Sequence, residues 1–155
     1  GFDRNDFLEN MQKSASGSLP ITGTRFQGAT DDYVANLVRT AALQPGKRMV
    51  YWMTLSGHVP VNVPLARKLA TPADGEPSAE LPREIWAHNI ICRNALKNIA
   101  RIAADPALQQ ADFVIAGDHS VPFTQASLRS YYQPNCVPYI ILRHHADTAL
   151  TRIGE

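Results

Sequence analysis

The chain has no apolar run near the roughly 20 residues that a membrane-spanning helix needs, and its opening, Gly1-Phe2-Asp3-Arg4-Asn5-Asp6, is too polar for a signal peptide. A soluble domain is the expectation. Cysteine is scarce: Cys92 and Cys136 are too few for a disulfide scaffold, and no CxxC or Cys/His spacing points to zinc. They either pair, if the chain is exported, or remain two buried thiols, the common state of free cysteine. No sign of charge dominates, with 15 Lys and Arg against 14 Asp and Glu. The basic residues are scattered and not set in runs beside aromatics, so no nucleic-acid partner is expected. No glycine-rich loop opens a helix after a strand, which leaves nucleotide binding without support, and there is no Gly-x-Ser-x-Gly elbow.

What the chain does have is a hydrophobic content of 45% over 155 residues, enough for one core and one domain. Residues 1–29 are rich in turn formers and lack periodicity, so they read as an irregular surface segment. Thr30-Asp31-Asp32 supplies an N-cap and an acidic first turn. Val34, Leu37, Val38 and Ala41 then recur at helical spacing until Gln44-Pro45-Gly46. Arg48 to Leu55 is a nearly continuous apolar run, the pattern of a strand covered on both faces. The stretch from His58 to Pro82 is broken by Pro60, Pro64, Pro72, Gly75 and Pro77 and reads as an excursion from the sheet edge, of the kind that covers sites.

A long helix is expected after Pro82, with Ile85, Trp86, Asn89, Cys92, Leu96, Ile99 and Ala103 on one face and Arg83, Arg93, Lys97 and Arg101 on its solvated side, ending at Asp105-Pro106. Ala111 to Ala116 and Val137 to Leu142 read as further strands. The order strand, long helix, strand predicts a right-handed βαβ unit with a parallel pair, and Pro138 suits a sheet edge or strand end.

In an open α/β sheet, ligands bind beyond the carboxyl ends of the strands, and two strands here end in Ser56-Gly57-His58 and Gly117-Asp118-His119. Both histidines would then face one crevice. Asp118 offers a hard oxygen and His119 a borderline nitrogen, a pair suited to Zn²⁺ or Mn²⁺. Neighbouring side chains on a strand point to opposite faces, so joint ligation requires the backbone to leave strand geometry, which Gly117 permits. The bland alternative is that Asp118 caps the next segment of the chain and His119 fills a loop. Neither Asp118-His119-Ser120 nor Ser56-Gly57-His58 suits a Ser/His/Asp relay, because sequence neighbours rarely reach opposite sides of one imidazole.

Taken together, Tyr51-Trp52-Met53-Thr54-Leu55-Ser56-Gly57-His58-Val59-Pro60, the long helix, Phe113-Val114-Ile115-Ala116-Gly117-Asp118-His119 and Val137-Pro138-Tyr139-Ile140-Ile141 resemble the sulfatase branch of the alkaline phosphatase superfamily. The resemblance is nearest to lipoteichoic acid synthases and phosphoethanolamine transferases, whose catalytic domains sit outside the cytoplasmic membrane, and it covers residues 30 to 142. Gly1-Phe2-Asp3 also resembles a segment from the middle of that domain. The resemblance implies that Asp118 and His119 are metal ligands and that His58 contacts the phosphate or sulfate group or its leaving oxygen. An acidic ligand and the nucleophile would belong to an N-terminal half not in this sequence; Thr22, Thr24 and Thr30 carry no motif to replace them. Ser120 stands where sulfatases often have Gly, and no second histidine occurs about a dozen residues on, which argues against the ethanolamine branch. His144 and His145 read as solvated surface and His88 as structural.

The expected fold is therefore α/β, a mostly parallel sheet flanked by helices, the C-terminal portion of an alkaline-phosphatase-like sandwich. Residues 30–142 form its core and 143–155 a tail. The expected function is that of the C-terminal part of a metal-dependent, sulfatase-like enzyme that hydrolyses or transfers a phosphate or sulfate ester on a cell-envelope lipid or glycan. The cofactor would be a divalent ion, Mn²⁺ or Zn²⁺ ahead of Ca²⁺ or Mg²⁺. The partners would be the ester substrate, the other half of the domain and further copies in an oligomer. The setting would be extracytoplasmic, within a membrane-anchored protein, and this chain alone would be inactive. The rivals are a degenerate sulfatase-fold domain that binds an extracellular glycan or protein, and an independent small α/β binding domain.

Overall fold

The computed structural model describes residues 8–14, 18–21, 28–133 and 135–143. Gly1-Phe2-Asp3, Thr22, Thr24, His144 and His145, and nearly all of the 143–155 tail, lie outside the described residues. The helices are α1 (Leu8–Ser14), α2 (Asp31–Ala42), α3 (Val63–Leu69), α4 (Arg83–Ala103) and α5 (Ala126–Arg129), and the strands are β1 (Phe113–Ala116) and β2 (Tyr139–Leu142).

Helix α4 organises the rest. Pro82 precedes it in an extended conformation, φ −52° and ψ 147°, where a missing N–H costs nothing. The buried sector is centred on Ala87, Ile91, Asn98 and Ile102, which recur on one side of a 3.6-residue period. Asn89 and Leu96, expected on the apolar face, fall outside that sector and are exposed. On one flank α3 packs against Trp86, Ala87, Ile90 and Ile91 through Ala66, with Val61, Leu65 and Leu69 around it. Burying each large side chain of that cluster stabilises the fold by about 1.5–3 kcal/mol.

Helix α3 lies inside the excursion expected from the prolines. Asn62 accepts a hydrogen bond from Leu65 N–H at 2.9 Å and caps the helix, and Pro64 occupies its first turn, where proline is tolerated. Asp74 ties the returning loop to α4. Its carboxylate pairs with Arg93 and its carbonyl accepts from the Trp86 indole at 3.3 Å, so Arg93 is not part of a purely solvated side.

Helix α2 packs on the C-terminal half of α4 through Ala35 and Ile102, joined by Leu108, Trp52 and Phe113. Thr30 stands at its N-cap position but makes no side-chain cap bond. The two acidic residues of the first turn serve tertiary contacts instead, with Asp32 accepting from Asn98 at 2.6 Å and Asn94 at 3.3 Å. Gly46, at φ 94°, takes the left-handed conformation that turns the chain away after the helix.

The expected parallel sheet is corrected by the structure. Among the described residues the only sheet has two strands, β1 and β2, paired antiparallel with Phe113 opposite Leu142 and Ala116 opposite Tyr139. Apolar runs predict burial but carry no information about pairing direction. Among its described residues the β1–β2 connection holds the four-residue α5 and no crossover helix, and the chain returns beside β1 in the opposite sense. Residues 48–55, expected as a strand, have no regular secondary structure, and no parallel pair forms across α4.

Two further differences concern the ends of the apolar pattern. The supposedly irregular first segment contains α1, whose Leu8-Glu9-Asn10-Met11-Gln12-Lys13 is mostly strong helix formers, and an isolated bridge between Ile21 and Ala29. The sheet leaves Val114, Tyr139, Ile140 and Leu142 exposed, Val114 to 72%, although their sequence suits a strand covered on both faces. No helix among the described residues is long and apolar enough to cross a membrane.

Candidate functional site

Strand β1 delivers the first candidate residues. Gly117 N–H donates to Pro138 O at 3.0 Å, extending the ladder one step beyond Ala116. Gly117 does not adopt positive φ. A Cβ at this position would lie 3.3 Å from Val137 Cβ, a tight contact, so glycine here eases the close approach of the neighbouring segment and does not serve a left-handed turn. The chain then bends at Asp118 and His119 and leaves strand geometry.

That bend turns the two side chains toward each other. His119 N–H donates to Asp118 Oδ1 at 2.9 Å, which orients the carboxylate. His119 Nδ1 lies 2.8 Å from Ser120 O. A carbonyl can only accept, so Nδ1 carries the proton and the lone pair of the neutral ring sits on Nε2. Nε2 is 3.5 Å from Asp118 Oδ2. Bonds of about 2.0–2.2 Å from zinc to nitrogen and oxygen place two ligand atoms of a tetrahedron about 3.4 Å apart. The separation therefore matches one edge of a metal site. Both side chains are largely open to solvent, 53% for His119 and 78% for Asp118, so further ligands have room to approach. Among the described residues no group of three His, Cys, Asp or Glu is placed to hold a metal ion, so neither His58 nor any other such residue completes the pair there.

His58 is held in the same manner. Leu55-Ser56-Gly57-His58 forms a β-turn closed by donation from His58 N–H to Leu55 O at 3.1 Å. The half-buried imidazole places Nδ1 2.7 Å from Val59 O, again fixing the proton on Nδ1.

The sequence marks Asp31 only as an acidic first-turn residue, and the structure gives it a larger part. Asp31 and Ser56 are each 3% exposed. Burial raises the Asp31 pKa to about 6, offset in part by the Ser56 hydroxyl and reinforced by the Asp32 charge. One signal was available: Asp31, Ala35, Val38 and Ala42 succeed each other at intervals of four, three and four, placing Asp31 on the buried stripe of α2.

The neighbouring polar cluster consists of His88, Cys92 and Tyr132. Tyr132 Oη is 2.9 Å from His88 Nδ1, and the His88 ring meets Tyr132 and Phe123 edge-on at centroid distances of 5.6 and 6.2 Å. Burial lowers the His88 pKa and holds the ring neutral. Cys92 Sγ is 3.6 Å from His88 Nε2, but burial and the Asp31 charge push its thiol pKa up, which disfavours a nucleophilic thiolate. The cluster joins the segment after Asp118-His119 to α4. Cys92 and Cys136 are both free, the first half-buried and the second exposed.

Compared with known proteins, the chain matches no protein-family model, no curated protein and no solved structure.

Proposed function

We propose that the chain supplies part of a metal-dependent enzyme that hydrolyses or transfers a phosphate or sulfate ester, with Asp118 and His119 as two of the metal's ligands and His58 as a contact to the transferring group. The observation that carries this reading is the 3.5 Å separation of Asp118 Oδ2 and His119 Nε2, each held by a second bond that leaves the ligating atom open. Hydrogen-bonding the other ring nitrogen to a carbonyl is how proteins orient metal-ligating histidines.

Function resides in the site, so these atoms carry the reading and the sheet beside them does not. A bound Mn²⁺ or Zn²⁺ would supply Lewis-acid chemistry, polarising the ester oxygen and lowering the pKa of an oxygen nucleophile. Asp118 and His119 hold their donor atoms on one side of the bend. His58 would contact a non-bridging or leaving oxygen of the transferring group, where a hydrogen bond strengthens as negative charge develops. Further ligands and the nucleophile come from outside the described residues, in the same polypeptide or in a partner. The bare apolar side of the β1–β2 pair is the surface such a portion would cover, in an extracytoplasmic protein acting on an envelope lipid or glycan ester.

Titration of this chain with Zn²⁺, monitored by ¹⁵N chemical shifts of the histidine rings, tests the reading. The expected result is weak binding that moves Nε2 of His119 and disappears in Asp118→Ala. If zinc leaves His119 unmoved, or acts equally in the variant, the pair is not a ligand pair, and a non-catalytic domain binding a glycan or protein becomes the better account.

A further inference from the structure

The two segments of the candidate site meet on one stripe of α4. Ile85, His88 and Cys92 stand at intervals of three and four, which places them on one side of the helix. Ile85 is 2% exposed and packs with Phe123 and Leu128. Val59, next to His58, and Val121, two residues after His119, lie against the same cluster. A Cβ on Gly57 would lie 3.5 Å from Cys92 Sγ, so the His58 turn also touches the far end of the stripe.

His88 supplies the polar contact of this stripe. Its Nδ1 is 2.9 Å from Tyr132 Oη, and its ring meets Tyr132 and Phe123 edge-on, while those two rings lie 5.9 Å apart. Cys92 Sγ is nearly equidistant from the two His88 ring nitrogens, at 3.6 and 3.8 Å, so it rests against the ring and not on the axis of either nitrogen. We propose that His88 is a positioning residue that, through Tyr132 and Phe123, seats the segment after Asp118-His119 on α4 and so fixes where the ligand pair stands relative to the His58 turn. Phe123 N–H donates to Val121 O at 2.9 Å, which carries the seat to within two residues of His119. Among the described residues the titratable groups set against His88 are Tyr132, from the segment after α5, and Cys92, from its own helix. Burial pushes the Tyr132 pKa up to about 12 and raises that of Cys92, so both stay protonated near neutral pH and neither offers an anion to an imidazolium. Acid therefore loosens the seat. Its relevance to an ester-transferring centre rests on the proposed function, whereas the seating itself requires no metal.

Amide hydrogen exchange on the whole chain tests the assignment. Tyr132→Phe removes one oxygen and keeps the ring; His88→Phe keeps a ring against Phe123 and Tyr132. Each is expected to speed exchange at the Phe123, Arg129, Ser130 and Tyr132 amides about fivefold, the effect of one lost hydrogen bond, and to shift the His119 amide signal. The Ala70 and Trp86 amides, bonded within α3 and α4, should stay unchanged. The double variant should add little to His88→Phe alone, because both substitutions remove the same bond. In the unmodified chain, after correction for intrinsic rates, the same four amides should lose protection as pH falls below 6.5, the ordinary His88 value that burial lowers on folding, and His88→Phe should abolish this dependence. Unchanged exchange in Tyr132→Phe, an equal rise at Ala70 and Trp86, or a His119 amide that does not move overturns the proposal. A failed zinc titration beside the local effect would remove the enzyme reading and leave the seating intact.

Discussion

Replacing Asp31 by asparagine is expected to stabilise the chain at pH 7.5 and to remove the loss of stability that Asp31 causes as pH rises from about 4 to about 6. The Asp31 pKa rises from 3.8 to about 6 on folding, chiefly through burial. The folded state therefore holds this proton more tightly than the unfolded state, and the stability this confers is fully present below pH 3.8 and lost as pH rises through about 6. A difference of roughly two pH units corresponds to about 3 kcal/mol between the acid and neutral limits. Asparagine keeps the side chain's size and shape and removes the buried charge. The melting temperature of the variant at pH 7.5 should exceed that of the unmodified chain by roughly 6–12 °C. Thermal melts at half-unit intervals from pH 4.5 to 8 would reveal it; equal slopes for the two proteins would show that Asp31 does not titrate in this range.

The largest single loss of stability is expected at Trp86. It is 2% exposed, packs among Ala66, Ala87, Ile90 and Ile91, and donates its indole N–H to Asp74 O at 3.3 Å. Trp86→Ala should cost about 3–5 kcal/mol by emptying the centre of the α3–α4 interface. Trp86→Phe keeps most of the packing and loses the hydrogen bond, so its cost should be smaller, with about 1 kcal/mol from that bond. Met49→Ala is the matched control, because Met49 is 76% exposed and such substitutions stay within about 0.5 kcal/mol. Urea denaturation midpoints rank the three, and a Trp86→Ala midpoint equal to that of Met49→Ala would contradict the packing described.

Much of the helical framework was legible because its signals are local. The apolar spacing of α2, the turn formers at Pro45-Gly46, the proline before α4 and Asp105-Pro106 after it mark element ends through backbone sterics alone. The strand direction was not legible. The runs at 113–116 and 139–142 announce burial, whereas pairing sense depends on what the 117–138 connection can span, and the run at 48–55 found no ladder at all. Helix α3 was hidden by Pro60, Pro64 and Pro72, although Asn62-Val63-Pro64 is a cap succeeded by a first-turn proline.

The candidate site divides in the same way. Asp118 and His119 could be singled out from residue chemistry at a strand end, and their convergence comes from the bend that the sequence required of them. Gly117 sits in close approach to Val137 and Pro138, a tertiary relation invisible in the local sequence. Asp31 and Ser56 were missed because their proximity spans 25 positions and each residue has an ordinary local explanation, one as a first-turn acid and the other as a turn former.

The central claim is that Asp118 and His119 are two ligands of a metal centre completed from outside the described residues. Its most direct measurement is Mn²⁺ and Zn²⁺ affinity for this chain alone and for a longer polypeptide or complex offered as the source of the further ligands, each with Asp118→Ala and His119→Ala. The account predicts tight binding by the longer form only, weakened more than about a hundredfold by either substitution; a longer form that binds no metal, or that binds it equally well in both variants, would contradict it.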